Sequence, residues 1–385
     1  MAGKWGRLGT ARLVRYLLAG LLLAALPNAA AADELSRLIQ QILHNPTNSE
    51  LNLRYARLAE ERKEWRWALA AYERILVNDP ENEEARWGLV RVRRKLQPNQ
   101  TQIFAEIGGA WESNPHRANT GAQSEWEAIA RVMVRDERAL GDTRWRTTGT
   151  FIAEAHQLNS DLHYGYAGGL TGPVIDLTPR IAVFAALGGG AAFFDQRFFY
   201  SEAIASLQFE SYLEGAYQTV RVRGGYRKYN EFFPSDEGFY ADVVGRFSFP
   251  AVLASNDLFV VNPWFRWSGI GGEGITITFE QVQPGRYIEY GGRLEYYRRV
   301  LEWLTIGGSI GILGRDYAES INLVTLLPST RRDVTVFPGA TMIFHHVFGH
   351  QNDIRIDYRY EDNRSSDPLR DYVNHLVSML YIIRF

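Results

Sequence analysis

From residue 99 to residue 385 apolar and polar residues take turns, and this period of two restricts the fold more than anything else in the chain. Ile354, Ile356, Tyr358 and Tyr360 alternate with Asp353, Arg355, Asp357, Arg359 and Glu361. Val220, Val222, Gly224 and Tyr226 alternate with Arg221, Arg223 and Arg227, and Trp126, Ala128, Ala130, Val132 and Val134 with Glu127, Arg131 and Arg135. Ala241, Val243, Gly245, Phe247 and Phe249 alternate with Tyr240, Asp242, Arg246 and Ser248. Successive side chains of a strand point to opposite faces, so each run is a strand with one apolar and one polar face. A water-exposed sheet alternates too, but its polar face would be rich in Lys, Ser and Thr. Arg, Asp, Glu and Tyr dominate here, which suits a crowded lumen of paired charges, while the Val, Ile, Phe, Tyr and Ala face suits lipid. A sheet in lipid must close on itself, because every backbone N–H and C=O needs an internal partner there. The expected fold is an all-β transmembrane antiparallel barrel of about 14 strands, an even number as in bacterial barrels. The twelfth strand is expected unbroken over 331–346.

The connections have their own parity. After odd strands they are often long and polar, as in Glu112 to Gln123, Gly271 to Gly285 and Ala318 to Thr330. After even strands they are short, as at Gly141-Asp142, Glu214-Gly215 and Gly349-His350. Outer-membrane barrels have short periplasmic turns and long external loops, which puts both ends of the barrel in the periplasm. Ile275 to Val282 is a candidate extra hairpin arm in an external loop, leaving 12 or 16 strands as alternatives.

The two ends of the chain fit the same compartment, the cell outer membrane. Lys4, Arg7, Arg12 and Arg15 precede an apolar run from Tyr16 to Leu26 and small residues at Ala29 to Ala32. These are the three parts of a secretory signal, expected to cover 1–32. The apolar run is about half of the roughly 20 residues a spanning helix requires. The last strand ends Tyr381-Ile382-Ile383-Arg384-Phe385. Tyr381, Ile383 and Phe385 are expected to form the signal read by the barrel-assembly machinery. In that register Phe385, Ile383, Tyr381, Met379 and Val377 face lipid, Arg384 turns inward, and the strand pairs back to the first strand near Ile103 to Trp111. The 20 Tyr, 20 Phe and 10 Trp supply the interfacial girdles a barrel needs. A net charge of -2 gives no footprint for nucleic acid. The chain has no cysteine, which excludes a lipid-modified Cys, disulfides and thiolate metal sites.

Residues 33–98 follow a helical period instead. Leu51, Tyr55, Leu58, Trp67, Ala71 and Ile75 form apolar stripes, and Ala56 and Ala68 are small residues where paired helices cross closely. Pro46 and Pro80 stand 34 residues apart (80 − 46) in matching surroundings, Ile42-Leu43-His44-Asn45-Pro46 and Ile75-Leu76-Val77-Asn78-Asp79-Pro80. That spacing resembles the tetratricopeptide repeat. The resemblance implies a small periplasmic tetratricopeptide-like domain whose concave face docks a periplasmic or secreted protein. Asn82 to Leu96 is expected to be a further helix, with Glu83 and Glu84 at the positive end of its dipole.

The barrel opens with Ile107-Gly108-Gly109-Ala110-Trp111-Glu112-Ser113-Asn114-Pro115. It closes with Tyr358-Arg359-Tyr360-Glu361-Asp362-Asn363-Arg364-Ser365-Ser366, Asp371-Tyr372-Val373-Asn374 and Phe385. These segments, behind helical repeats, resemble the surface lipoprotein assembly modulators. That resemblance implies help in moving a protein or lipoprotein to the cell surface. The same layout is similar to exopolysaccharide export barrels, whose cargo would be exopolysaccharide. A general porin is the third reading.

The polar face carries the candidate site. Arg131, Arg135, Arg144, Arg146, Arg221, Arg223, Arg227, Arg246, Arg293, Arg355 and Arg359 are expected to line the lumen. Either they guide an anionic polymer or polypeptide, or they pair with Glu127, Glu154, Asp242, Glu289, Glu295, Asp353, Asp357 and Glu361. The similar numbers of the two signs favour pairing. Catalysis is not expected: Ser160 between His156 and Asp161 reads as a surface-loop coincidence. No metal or cofactor is expected either. His345 and His346 point to opposite faces of a strand, and His350 lies at the turn end. Gly188-Gly189-Gly190 has no following lysine or helix and is no phosphate loop. It is expected to allow a bend or the close packing of a lumenal group.

Overall fold

The computed structural model describes residues 34–385 except 80, 81, 98, 142, 179, 214, 215, 232–235, 273–284 and 350. The secretory signal, Pro80, His350 and the Ile275 to Val282 arm lie outside the described residues. The chain divides into two compact units, with the boundary between Gln97 and Pro98.

The first unit is helical: α1 (34–44), α2 (Ser49–Glu61), α3 (Trp65–Asn78) and α4 (Glu83–Leu96). Asn48 caps α2 by accepting from the Leu51 N–H at 3.0 Å, and Asn82 caps α4 by accepting from that of Ala85 at 3.0 Å. Such caps satisfy donors that the first turn leaves free. Leu38, Ile42, Tyr55, Ala56, Ala59, Ala68, Ala71, Tyr72, Ile75 and Val92 form one core. Trp67 departs from the expected stripe and is 60% exposed. The buried arc of α3 is Ala68, Ala71, Tyr72 and Ile75, so Trp67 falls at its wet edge and Trp65 packs instead. Tyr72 donates to Glu60 at 2.5 Å, and Arg91 holds the same carboxylate with two bonds of 2.6 Å. Among the described residues no helix is long and apolar enough to cross a membrane.

The second unit is one antiparallel sheet closed on itself. Its strands are β1 (Gln100–Glu112), β2 (Glu125–Leu140), β3 (Thr143–His156), β4 (Tyr164–Thr178) and β5 (Ile181–Phe194). Then come β6 (Arg197–Leu213), β7 (Ala216–Tyr229), β8 (Gly238–Pro250), β9 (Asp257–Gly269) and β10 (Arg286–Leu301). The last are β11 (Leu304–Ile321), β12 (Pro328–Val336), β13 (Gly339–His345), β14 (Asn352–Ser365) and β15 (Tyr372–Arg384). β12 and β13 both lie between β11 and β14 and are halves of one passage. The wall is therefore crossed 14 times. β1 and β15 close it from Phe104↔Arg384 to Glu112↔Leu376, and Ile103 and Phe385 exchange backbone hydrogen bonds of 3.1 and 2.9 Å.

The expected single strand over 331–346 is corrected at Phe337-Pro338. Proline has no N–H to give the ladder, so the strand breaks there and starts earlier, at Pro328. Phe337 keeps both its bonds, to Gly311 at 2.9 and 3.2 Å. Its ring lies over Gly311, where any added Cβ would come within 2.1 Å of it. The loop parity holds only in part: the links after β8 (251–256) and β13 (346–351) are as long as those after β11 (322–327) and β14 (366–371), and the link after β5 is the two-residue turn Asp195-Gln196, both with positive φ. Paired positive φ values make the tight turn whose twist matches the flanking strands.

The outer face is apolar. Ile107, Trp126, Leu187, Phe239, Ile310, Ile312 and Met379 all stand exposed on it. Aromatic pairs mark both rims, Phe193 with Phe198 at the loop end and Trp303 stacked on Phe344 at the turn end. A closed sheet with an apolar belt between aromatic rims satisfies the backbone and the surface demands of a bilayer together.

Candidate functional site

Strand alternation sends the charged side chains of the barrel inward, and there they pair. Arg131 meets Glu154 at 2.8 Å and Glu106 at 3.7 Å. Arg135, Arg144 and Arg146 converge on Glu137 at 2.5, 3.2 and 2.7 Å, and Arg146 also reaches Glu210 on β6. Arg223 and Arg221 share Asp242 at 2.6 and 3.9 Å. Arg227 meets Glu202 at 2.9 Å, and Arg293 meets Glu295 at 3.2 Å. Arg355 bridges Glu106 and Asp357 at 3.1 and 2.7 Å, and Arg359 meets Glu361 at 2.8 Å. Arg246 differs: it has no carboxylate partner among the described residues, and its polar contact is Asn262 Oδ1 at 3.4 Å. Pairing is required by physics, because a lone buried charge costs several kcal/mol.

Sequence reasoning missed part of this network. Arg266 and Arg315 share the fully buried Glu289, at 3.3 Å and 2.9 Å. Arg331 meets Asp333 at 3.2 Å, whereas Arg384, already expected to turn inward, meets Asp353 at 2.7 Å. Arg117, from the first loop, lies buried between Glu112 at 3.2 Å and Glu361 at 3.1 Å.

Near the loop end, arginine and tyrosine alternate around the inner wall. Arg227 sits 4.6 Å from the Tyr200 ring centre and 4.5 Å from that of Tyr240. Arg315 stands against Tyr287 and Tyr317, Arg331 is 3.7 Å above Tyr317, and Arg117 faces Tyr372. Guanidinium over an aromatic face is attractive and stays strong where water is scarce. On the β4–β8 side Tyr164, Tyr166, Phe199, Tyr200, Tyr229 and Tyr240 pack into one cluster. Glycine makes room for it: an added Cβ at Gly190 or Gly168 would come within 2.5 or 2.3 Å of the Tyr166 hydroxyl. That hydroxyl donates to Glu202 at 3.0 Å.

A cavity of about 1030 Å³ remains along the other side of the lumen. Its lining reaches Arg117, Tyr164 and Tyr372 at the loop end and Asp257, Arg299 and His345 at the turn end. Between them stand Ile129, Leu313, Phe337 and Leu380 with Arg131, Arg355 and Arg359. Charged and apolar side chains therefore stand side by side in the cavity lining.

The opening and closing segments of the barrel meet at the seam. Asn374 Oδ1 accepts from the Asn114 N–H at 2.9 Å, and the Asn114 amide donates to the carbonyls of Ala118 at 2.8 Å and Val373 at 3.1 Å. This holds the first loop over the closing strand and carries Arg117 inward. The residues weighed for catalysis stand apart: His156 is buried against Glu125 at 2.8 Å, whereas Asp161 meets His116 at 3.1 Å. His345 contacts Thr305 at 2.8 Å and Asp353 at 3.4 Å. Among the described residues no group of side chains could hold a metal.

No protein-family model and no curated protein matches the chain. Several solved structures are similar to it over most of their length. The outer membrane channel DcaP of Acinetobacter baumannii is similar at a TM-score of 0.44 and 9% identity, over 74% of this chain and 97% of that one. The outer membrane protein OpdK of Pseudomonas aeruginosa is similar at 0.36 and 10%, over 74% and 99%. A bacterial polysaccharide outer membrane secretin is similar at 0.40 and 10%, over 74% and 98%.

Proposed function

We propose that this chain is an outer-membrane transport component whose barrel supplies the route and whose helical unit, in the periplasm, docks a protein partner. The observation that carries the reading is the cavity of about 1030 Å³ lined from the loop end to the turn end. Spread over the roughly 30 Å of a bilayer core, that volume is a narrow path. It suits a small solute or an extended chain and leaves no room for a folded domain. The tetratricopeptide-like unit is then the place where cargo or its carrier is presented. Translocation of a protein or lipoprotein to the surface is the first specific form of this reading. Export of an exopolysaccharide is the second, favoured by the charged, hydroxyl-rich lining of Thr305, Thr335 and Thr341. A general porin would leave the helical unit without a task.

A deletion strain separates these forms. Loss of protease-accessible lipoprotein or secreted protein at the surface supports the first, and loss of secreted polymer supports the second. Retention of both, with slower uptake of small solutes, overturns them in favour of the porin.

A further inference from the structure

The lumenal charge is unevenly distributed around the barrel. On β1 to β3 carboxylates lead: Glu106, Glu112, Glu125, Glu127, Glu137 and Glu154 outnumber the inward arginines of those strands. On β7 to β10 the balance reverses. Arg221, Arg223, Arg246, Arg266 and Arg293 face Asp242, Glu289 and Glu295. Three of these arginines are under-satisfied, Arg293 through a buried Nε without a hydrogen-bond partner. Arg221 has a buried Nε without a hydrogen-bond partner and its carboxylate 3.9 Å away. Arg246 has Asn262 alone, at 3.4 Å.

Arg246 and Arg293 both line the cavity. Asn262 stands between them, directly opposite Arg293 in the β9–β10 register and bonded to Arg246 across β8–β9. Arg293 continues the row to Ser309 on β11, donating to its hydroxyl at 3.0 Å. Arg246 and Arg293 thus bring two guanidinium groups to the cavity wall at one level, each donating to an acceptor on the next strand, Asn262 and Ser309. Guanidinium forks match the oxygens of carboxylate, phosphate and sulfate. The carboxylate at Arg293 comes from its own strand, and none occupies Arg246.

We propose that this row is an oxyanion step in the path, so that the barrel passes solutes or polymers bearing carboxylate, phosphate or sulfate groups in preference to cations. The inference rests on the channel reading above. A step of this kind must hold its ion weakly enough to release it, and one arginine without a counter-charge among the described residues beside one paired with Glu295 meets that demand. Arg246 is exposed to the lumen and makes no ion pair among the described residues, so replacing it leaves the folded barrel intact.

The test is the reversal potential of the full-length protein in planar bilayers under a potassium chloride gradient, with inorganic phosphate added as a probe. The wild type is expected to prefer chloride, and phosphate to lower its chloride current. In R246E the chloride-to-potassium permeability ratio is expected to fall about tenfold, as reversing one charge in a confined lumen should do. R246Q should fall between the two and lose the phosphate effect. A wild type that prefers potassium, or an R246E protein with the wild-type reversal potential, overturns the oxyanion step while leaving the channel reading in place. An inserted wild type without conductance overturns the channel reading and this inference with it.

Discussion

At the scale of single residues the lumen obeys one rule: a charge removed from water is paired. Glu289 states it most sharply, with no exposed surface and two arginines on one carboxylate. Glu289→Gln keeps the shape and strips the countercharge from both Arg266 and Arg315. Breaking such a pair costs about 3–5 kcal/mol. The urea midpoint of the refolded barrel should fall accordingly, and a midpoint within error of the wild type would show that the pair is idle. The parity of the strands made Arg131, Arg223 and Arg355 readable from the sequence, because clear alternation surrounds each. Arg266 was not readable, since the inward Trp264 two residues before it blurs the pattern. Arg331 was hidden by Arg332, its neighbour, which points outward to Asp316 at 3.3 Å. Arg117 has no periodicity to betray it: it sits in a loop at φ 54 and is carried inward by the Asn114 and Asn374 contacts.

At the scale of elements, each unit has its own weak point. In the helical unit burial, with the hydrogen bond to Glu60, holds the Tyr72 hydroxyl well above the ordinary phenol range. The sign follows from linkage. Above about pH 10 an unfolded chain gives up this proton while the folded helices keep it, so stability falls as pH rises, by up to about 1.4 kcal/mol per pH unit. Tyr72→Phe should flatten the alkaline loss of helical ellipticity, and an unchanged alkaline transition would assign it to other groups. In the barrel wall Met379 is 59% exposed on the outer face of β15, opposite Gly109 of β1. Met379→Arg should cost about 2–4 kcal/mol in a bilayer, as a cation on the lipid face does. Equal stability of the two proteins in lipid vesicles would mean that this face does not meet lipid. The break at Phe337-Pro338 was missed, although a proline inside a strand pattern is the signal for it. What the pattern could not show is its result, a ring laid across Gly311 toward the path.

At the scale of the whole molecule, two packing solutions share one barrel interior. The β4–β8 side is filled by packed tyrosines and ion pairs, while a cavity remains elsewhere in the lumen. The sequence carried the barrel itself, through its alternation and the parity of its connections. It also carried the return of β15 to β1, with Phe385 bonded to Ile103. It could not carry the division of the lumen, because that depends on pairs far apart in the chain. Arg146 with Glu210 and Arg117 with Glu361 are such pairs. The central claim, a path open from end to end, is tested most directly by single-channel recording. Purified full-length protein, inserted in planar bilayers, should give discrete and uniform conductance steps. Protein that inserts with a protease-resistant, heat-modifiable barrel yet leaves the membrane electrically silent would contradict it.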